Sequence, residues 1–494
     1  MRIPMAPHAL VALVLAAAAS PVAAQEIAAR PDALTFEPIV FEPPSPEGHR
    51  HVLKTGMVVF IAEDRALPLV NISLTLRVGG WLDPEGREGL ASFTGSQMRR
   101  GGTKSLTAEE LDERLDFLAA QASTGIGGTA GGANLNCLTD NLDEALPLFV
   151  EILREPRFQA DRLALAKEQS LQAMKKRNDD SADIEAREWN VLLDGEGHFT
   201  NRFTTEASIE AITRDDLVAF HRRYVHPETM IAAVSGSFET PDMLRRLEEA
   251  FADWPGTPAE LPPIPHTIDP APPGLYRIEK DVNQGRVSMG LPGVMRDDPD
   301  VYALEVMVDI LGGSGFTSRI TTTVRSNEGL AYDARAAMSF GVWYPGRFRA
   351  MFQSKSPTVA WATELVLEEI RRIRDEGVTP EELATTQSSL IETFPSSFDS
   401  KARSMAIFAS DEYTGRAPDY WRTYRDRIRS VTTDDVQRVA RTHLPLEKMI
   451  LLVVGNQEAI DRGDEKHAVT LEALAPGGRV TVLPLRDPMT MKMP

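Results

Sequence analysis

Cysteine is all but missing from this chain: Cys137 is the only one in 494 residues. Internal disulfides are therefore excluded, as is any zinc site built from several thiolates. Basic charge is in deficit, with 53 Lys and Arg against 72 Asp and Glu, and the net charge of −19 repels phosphate backbones. Nucleic acid is not an expected partner. Beyond the N-terminus no segment reaches the roughly 18 uninterrupted apolar residues of a spanning helix, so the mature chain should carry no integral membrane segment. No Gly-x-Ser-x-Gly elbow occurs, which leaves a serine nucleophile without its usual setting. No cluster of His, Asp and Glu with ligand spacing stands out either.

What is present is globular. Hydrophobic residues make up 42% and charged residues 25%. Single cores stop growing near roughly 250–300 residues, so this length predicts at least two domains. The first 24 residues form an address: Arg2 is a positive start, Ala9 to Ser20 is apolar, and Val22-Ala23-Ala24 offers small residues before Gln25. Cleavage after Ala24 and a periplasmic destination are expected; a retained N-terminal anchor is the alternative.

From Pro255 to Gly274 eight prolines punctuate the chain. They remove amide donors and disfavour helix before them, so 255–274 should be an extended linker between domains at 25–254 and 275–494. An internal repeat supports the division. Residues 213–238 align without a gap on 432–457, an offset of 219. Each copy opens on Thr and two acids, a good helix N-cap, and ends in an apolar strand closed by glycine. Chance similarity of two helix–strand units is the plain alternative to duplication.

Period-two alternation from Val70 to Val78 predicts a half-buried strand, and Ala133 to Cys137 predicts another, with Cys137 a buried small hydrophobe. Thr107 to Glu110 is a capping box. The second half should add strands at 285–292, 331–341 and 346–353, and helices at 299–311, 357–375 and 380–408. The fold class expected is α+β: two duplicated domains, each a β-sheet with helices packed on one face.

Gly89-Leu90-Ala91-Ser92-Phe93-Thr94-Gly95-Ser96, followed by Gly101-Gly102-Thr103, resembles the insulinase/pitrilysin-like zinc peptidases, the family of the mitochondrial processing peptidase. There an inverted His-x-x-Glu-His motif occupies the corresponding helix. Histidines four apart share a helix face, and the glutamate beside them can act as base on a zinc-bound water. In this sequence the histidine positions hold Ser92 and Ser96, the glutamate position Gly95, and the later third-ligand position Ala173. Hydroxyls and a methyl group do not hold zinc at neutral pH, and the neighbouring Glu168 alone is no site. The resemblance spans roughly residues 40–460 and includes the segment from His198 through Thr205 to Ile209. It is most specific at Gly312 to Arg319 and Val324 to Tyr332. In family members that complete an active site from this half, an arginine and a tyrosine seven apart bind substrate oxygen and the oxyanion. Arg325 and Tyr332 occupy those positions. A turn entering a strand, with tyrosine packing and a surface arginine, is the bland alternative.

The resemblance therefore implies a non-catalytic, substrate-binding subunit of an exported heteromeric zinc peptidase. This chain would hold no metal; zinc and general base would come from a partner with an intact His-x-x-Glu-His. The substrate would be a peptide or unfolded polypeptide. A proteolytically inactive peptide-binding or scaffold protein of the same fold is the alternative. Other candidates are ordinary: His49 and His51 in a mobile solvated segment, His221 and His226 on different helix faces, and Glu368 and Glu369 paired with Arg371 and Arg372.

Overall fold

The computed structural model describes Arg30 and residues 41–494; the address segment 1–24 lies outside them. Two six-stranded sheets organise residues 42–494. The first contains β1 (Arg50–Val52), β2 (Val58–Glu63), β3 (Leu69–Leu76), β4 (Gln121–Ile126), β5 (Gly131–Leu138) and β6 (Met230–Gly236), in the order β1-β2-β6-β3-β5-β4. The second contains β7 (Gly274–Glu279), β8 (Gln284–Pro292), β9 (Ala331–Ser339), β10 (Arg347–Lys355), β11 (Ile450–Gly455) and β12 (Val480–Val482), in the order β12-β7-β11-β8-β10-β9. Five positions correspond, β2-β6-β3-β5-β4 to β7-β11-β8-β10-β9, and only the outer strands differ, β1 running antiparallel to β2 and β12 parallel to β7; the result is the α+β architecture of two duplicated sheet-and-helix units.

The repeated segment supplies the same parts in both. Thr213 caps the Arg214–Tyr224 helix and Thr432 the Thr433–His443 helix, each through a reciprocal capping box with the Asp three residues on. Each helix then feeds a central strand, β6 or β11, buried at every residue. An uninterrupted apolar run such as Ile450–Val454 implies a strand covered on both faces.

That second cover is exchanged between the halves. In β2, Val59 and Ile61 face the large first core, whereas Phe60 and Ala62 pack with Ile231, Ala233, Met405, Phe408 and Ala409. The last three belong to the Lys401–Thr414 helix of the second half. Reciprocally, Ile184, Trp189, Leu192 and Leu193 of the Ser181–Asp194 helix pack on Tyr276, Ile278, Ile450, Leu452 and Val454 of the second sheet. Each sheet thus has its own helices on one face and a helix lent by the other half on the opposite face. Buried Glu185 anchors one loan, accepting from Ser288 Oγ at 2.5 Å and pairing with Arg349 at 3.0 Å.

Three expectations need correction. The helix expected over 380–408 is two helices, Pro380–Thr393 and Lys401–Thr414, parted at Phe394-Pro395, where proline cannot donate the helical hydrogen bond. His49 and His51 do not lie in a mobile segment: His49 Nδ1 is 2.8 Å from the Ile61 carbonyl, and His51 pairs with Val59 in the sheet. A His/Asp cluster does exist, because folding brings Asp298 and Asp300 to His443. Asp300 is already committed there, to Arg438 at 2.9 Å and His443 at 2.9 Å, which hold its carboxyl below the usual range.

Residues 257–272 carry no helix or strand, and Asp269 and Ala271 donate their amides to Asp194 and Leu192. The C-terminal tail is packed: β12 pairs with β7, and buried Arg486 bonds Glu188 at 3.1 Å and Glu196 at 2.6 Å. Among the described residues no helix is long and apolar enough to cross a membrane.

Candidate functional site

The Leu90–Arg100 helix carries the positions of the lost zinc motif. Asp83 starts it, its carboxylate accepting from the Gly89 amide at 2.8 Å and the Ala91 amide at 2.7 Å. Burial pushes the Asp83 carboxyl up to about 6, although these bonds and Arg202 pull it down. Ser92 is exposed, and Ser96 Oγ turns back to the Phe93 carbonyl of its own helix at 3.1 Å. On the contacting Ala160–Lys175 helix, Ala173 is exposed. Two hydroxyls and a methyl group provide no zinc ligand set.

Gly95 shows that more than ligands has gone. A Cβ added there would sit 2.3 Å from the Ile126 amide nitrogen and 2.7 Å from the Gly125 carbonyl carbon. Thr124 Oγ1 clamps the contact, donating to the Gly95 carbonyl at 2.6 Å while accepting from the Arg99 amide at 3.2 Å. Helix and β4 have closed over the place where the resemblance puts a general base, and a glutamate would have to part them. The sequence disclosed the missing carboxylate; the missing room is a property of the packing.

The second-half residues are arranged differently. Arg325 lies on a widened helical turn, where the Glu328 amide reaches the Thr323 carbonyl five residues back. Thr321 Oγ1 ties this turn to the Ala334 carbonyl at 2.8 Å, and Thr323 Oγ1 ties it to Glu369 at 2.8 Å. Tyr332 follows at the start of the edge strand β9. The Arg325 guanidinium carbon is 4.5 Å from the Tyr332 ring centre and 4.4 Å from that of Phe316. Structure thus brings Arg325 and Tyr332 together and adds Phe316 as a second ring against the guanidinium. Both rings are strikingly open for large aromatics, Phe316 at 68% and Tyr332 at 83% exposure. Among the described residues no carboxylate or carbonyl accepts from the Arg325 guanidinium. Each ring lies within cation–π distance, worth roughly 0.5–1 kcal/mol, and such a contact uses the π-system and none of the five N–H donors. The signal for Phe316 was available: it is the lone aromatic in a run of small residues, Gly312 to Ser318.

Three further histidines, His198, His221 and His226, are buried and structural. His198 is buried with Nδ1 2.7 Å from Thr200 Oγ1 and its ring edge-on to Tyr344. His221 Nε2 meets the Leu153 carbonyl at 2.7 Å, and burial pushes its pKa down to about 4. His226 is not on another face of the same helix, as expected, because the helix ends at Tyr224; its Nε2 meets the Arg222 carbonyl at 2.8 Å.

Comparison with known proteins fits this geometry. Residues 211–390 match a family described as peptidase M16 inactive domain. A non-peptidase homolog of Helicobacter pylori, YmxG, is 24% identical over 413 residues, covering 83% of this chain and 94% of that relative. The crystal structure of a peptidase M16 inactive domain from Pseudomonas fluorescens superposes with a TM-score of 0.73 at 24% identity, covering 82% of this chain and 97% of that one. The first half of the periplasmic protease PqqL of Escherichia coli gives 0.69 at 15% identity, covering 87% and 97%, whereas the whole PqqL chain is covered over 49%. These structural likenesses establish the fold. The comparisons bear out the resemblance to the insulinase/pitrilysin-like zinc peptidases, since residues 211–390 match the model of a domain from that group. Together with the lost ligands, they support a non-catalytic member without a catalytic zinc of its own.

Proposed function

We propose that this chain is the substrate-binding, non-catalytic subunit of an exported heteromeric zinc metallopeptidase. The observation that carries the reading is Arg325, held against two exposed aromatic rings with its donors unclaimed among the described residues. A partner of the same fold with an intact His-x-x-Glu-His brings zinc and general base. Arg325 holds a backbone or carboxylate oxygen of the peptide, and the Tyr332 hydroxyl donates to the developing oxyanion. The peptide binds extended, adding a strand to a sheet edge. Residues 1–24 direct export and are removed after Ala24; the halves 25–254 and 275–494, joined by 255–274, form one side of a chamber. The length relation to PqqL, a periplasmic protease twice as long as the part this chain matches, is in keeping with a second chain completing the enzyme.

The closed Gly95 contact also favours a second reading, a peptide-binding or scaffold protein of this fold with no part in proteolysis. Affinity purification of the tagged mature chain from its native envelope, with mass spectrometry and zinc analysis, separates the two. The peptidase reading expects a stoichiometric His-x-x-Glu-His chain carrying the zinc. It also expects Tyr332→Phe to lower turnover of the complex about 10²–10³-fold, the loss typical of one oxyanion donor, and Arg325→Ala to do at least as much. A chain recovered alone under complex-preserving conditions, or a complex whose turnover ignores both substitutions, would sink it.

A further inference from the structure

The lent helix Lys401–Thr414 covers only part of the first sheet, and the face it leaves open changes character. Directly opposed residues run in rows across the strands. Under the helix one row begins Phe60–Ala233 and the next Ala62–Ser235. Beyond it the same rows continue as Ser73–Asn134–Ser123 and Asn71–Asn136–Gln121, on β3, β5 and β4. A cavity of about 730 Å³ lies over these six side chains, walled by Ser400, Arg403 and Ala406 at the start of the lent helix. It is on the sheet face opposite the first core, and neither the lost zinc-motif positions nor Arg325 and Tyr332 line it.

Asparagine is a poor strand residue, because its short amide competes for backbone hydrogen bonds and fits a pleated surface badly. Only three of the ten asparagines lie in strands, Asn71, Asn134 and Asn136, and all three stand on this face. The fold does not demand them: the corresponding open end of the second sheet carries Arg349, Met351 and Arg335. Residues that work against local strand preference, gathered at one place, mark a functional surface.

The polar heads are held in order. Asn136 Nδ2 donates to Asn71 Oδ1 at 2.6 Å, and Ser73 Oγ donates to Asn134 Oδ1 at 2.7 Å. The first bond leaves a donor on Asn71 and an acceptor on Asn136, and the exposed Gln121 amide beside them has no partner among the described residues. No carboxylate lines the cavity among the described residues, and its one charge, Arg403, is paired with Asp399 at 3.0 Å. Neighbouring strands are about 4.7–4.9 Å apart, so these heads form a close, neutral grid of donors and acceptors. A hydroxyl both donates and accepts, as a primary amide does, and an uncharged ligand with many hydroxyls pairs with such a grid without desolvating an ion. An extended peptide instead pairs through its backbone at a strand edge, whereas these groups stand on the face. The volume suits a few sugar rings. We propose that this face binds a neutral oligosaccharide, seated on the two polar rows beside the lent helix. The proposal does not rest on the peptidase reading.

The test is isothermal titration calorimetry of the full mature chain with maltotetraose, cellotetraose and chitotetraose, and with an amidated nonapeptide of Gly, Ser and Asn. At least one tetrasaccharide is expected to bind saturably, one per chain. Gln121→Val and Asn134→Val, both at exposed positions, should each weaken it about tenfold, the worth of one or two neutral hydrogen bonds. Both should leave Tm unchanged or raised, because valine is a good strand former. Saccharide binding that ignores both substitutions overturns the location. A lower Tm in both variants makes the amides structural and overturns the inference from strand preference. Nonapeptide binding without saccharide binding, lost in the same variants, overturns the ligand class. No saturable heat with any tetrasaccharide overturns the proposal outright.

Discussion

β4 and β9 close equivalent ends of the two sheets, and in both halves a glycine presses a helix onto that edge. A Cβ on Gly95 would lie 2.3 Å from the Ile126 amide nitrogen of β4; one on Gly312 would lie 2.2 Å from the Ala336 amide nitrogen of β9. The first half, where the family resemblance expects a general base, has the close helix–strand contact that its sister half has. Around that shared contact the halves then differ. The first presents a basic cavity beside β4, and the second an exposed aromatic clamp on Arg325 at the start of β9. The packing at Gly95 thus leaves no room for the general base, while each edge keeps an arginine-bearing surface of its own.

The exchange of helices offers the largest test of how alike the halves are. Phe408→Ala and Trp189→Ala each remove a buried ring from a lent helix and should each cost about 3–5 kcal/mol, measured by denaturant unfolding. Because each helix serves the opposite sheet, either change should destabilise both halves in one transition. Two separated transitions would show that the halves stand alone.

Gly95→Glu should cost about 3 kcal/mol or more, since helix and strand must part. The triple change Ser92→His, Gly95→Glu, Ser96→His should fail to bind zinc stoichiometrically by metal analysis of the purified chain. Recovery of one tight zinc would show that β4 yields easily.

A pH effect of similar size should arise in the first half. His221 is neutral in the fold, with its pKa pushed down to about 4, while the unfolded chain protonates near about 6.5. Its contribution is thus present above about pH 6.5 and lost as pH falls toward 4, amounting to about 3 kcal/mol. Asp83 works against it: its raised pKa favours the fold below its unfolded value and loses that advantage as pH rises through about 6. His221→Asn should remove the first slope, so that the stability difference between the unaltered chain and the variant changes between pH 6.5 and pH 4. A difference constant across that window would refute the assignment.

The smallest effect concerns the matched caps. Thr213→Ala and Thr432→Ala should each cost about 1 kcal/mol, and equally, because both hydroxyls accept from the amide three residues on. Unequal costs would mean that the repeat has diverged in energy while keeping its geometry.

Much of the framework was legible before folding was considered. The caps at Thr107, Thr213 and Thr432 and the alternation in β3 and β5 are local patterns, and local hydrogen bonds and burial enforce them. The break at Pro395 is equally local, since proline removes a helical amide donor. Of the candidate site, the loss of zinc ligands at Ser92, Ser96 and Ala173 is a matter of residue type alone. Phe316 over Arg325, and Gln97 beside Arg99 and Arg162, required segments to meet in space.

By itself the sequence determined the duplication, the strands and helices of each copy, and the absence of a zinc-binding set, because periodicity, capping and ligand chemistry act over a few residues. The tertiary structure alone decided which helix covers which sheet, that Gly95 leaves no room beside β4, and which arginines share a cavity. Those outcomes depend on distances between segments far apart in the chain, set by how two duplicated cores fill each other's open faces.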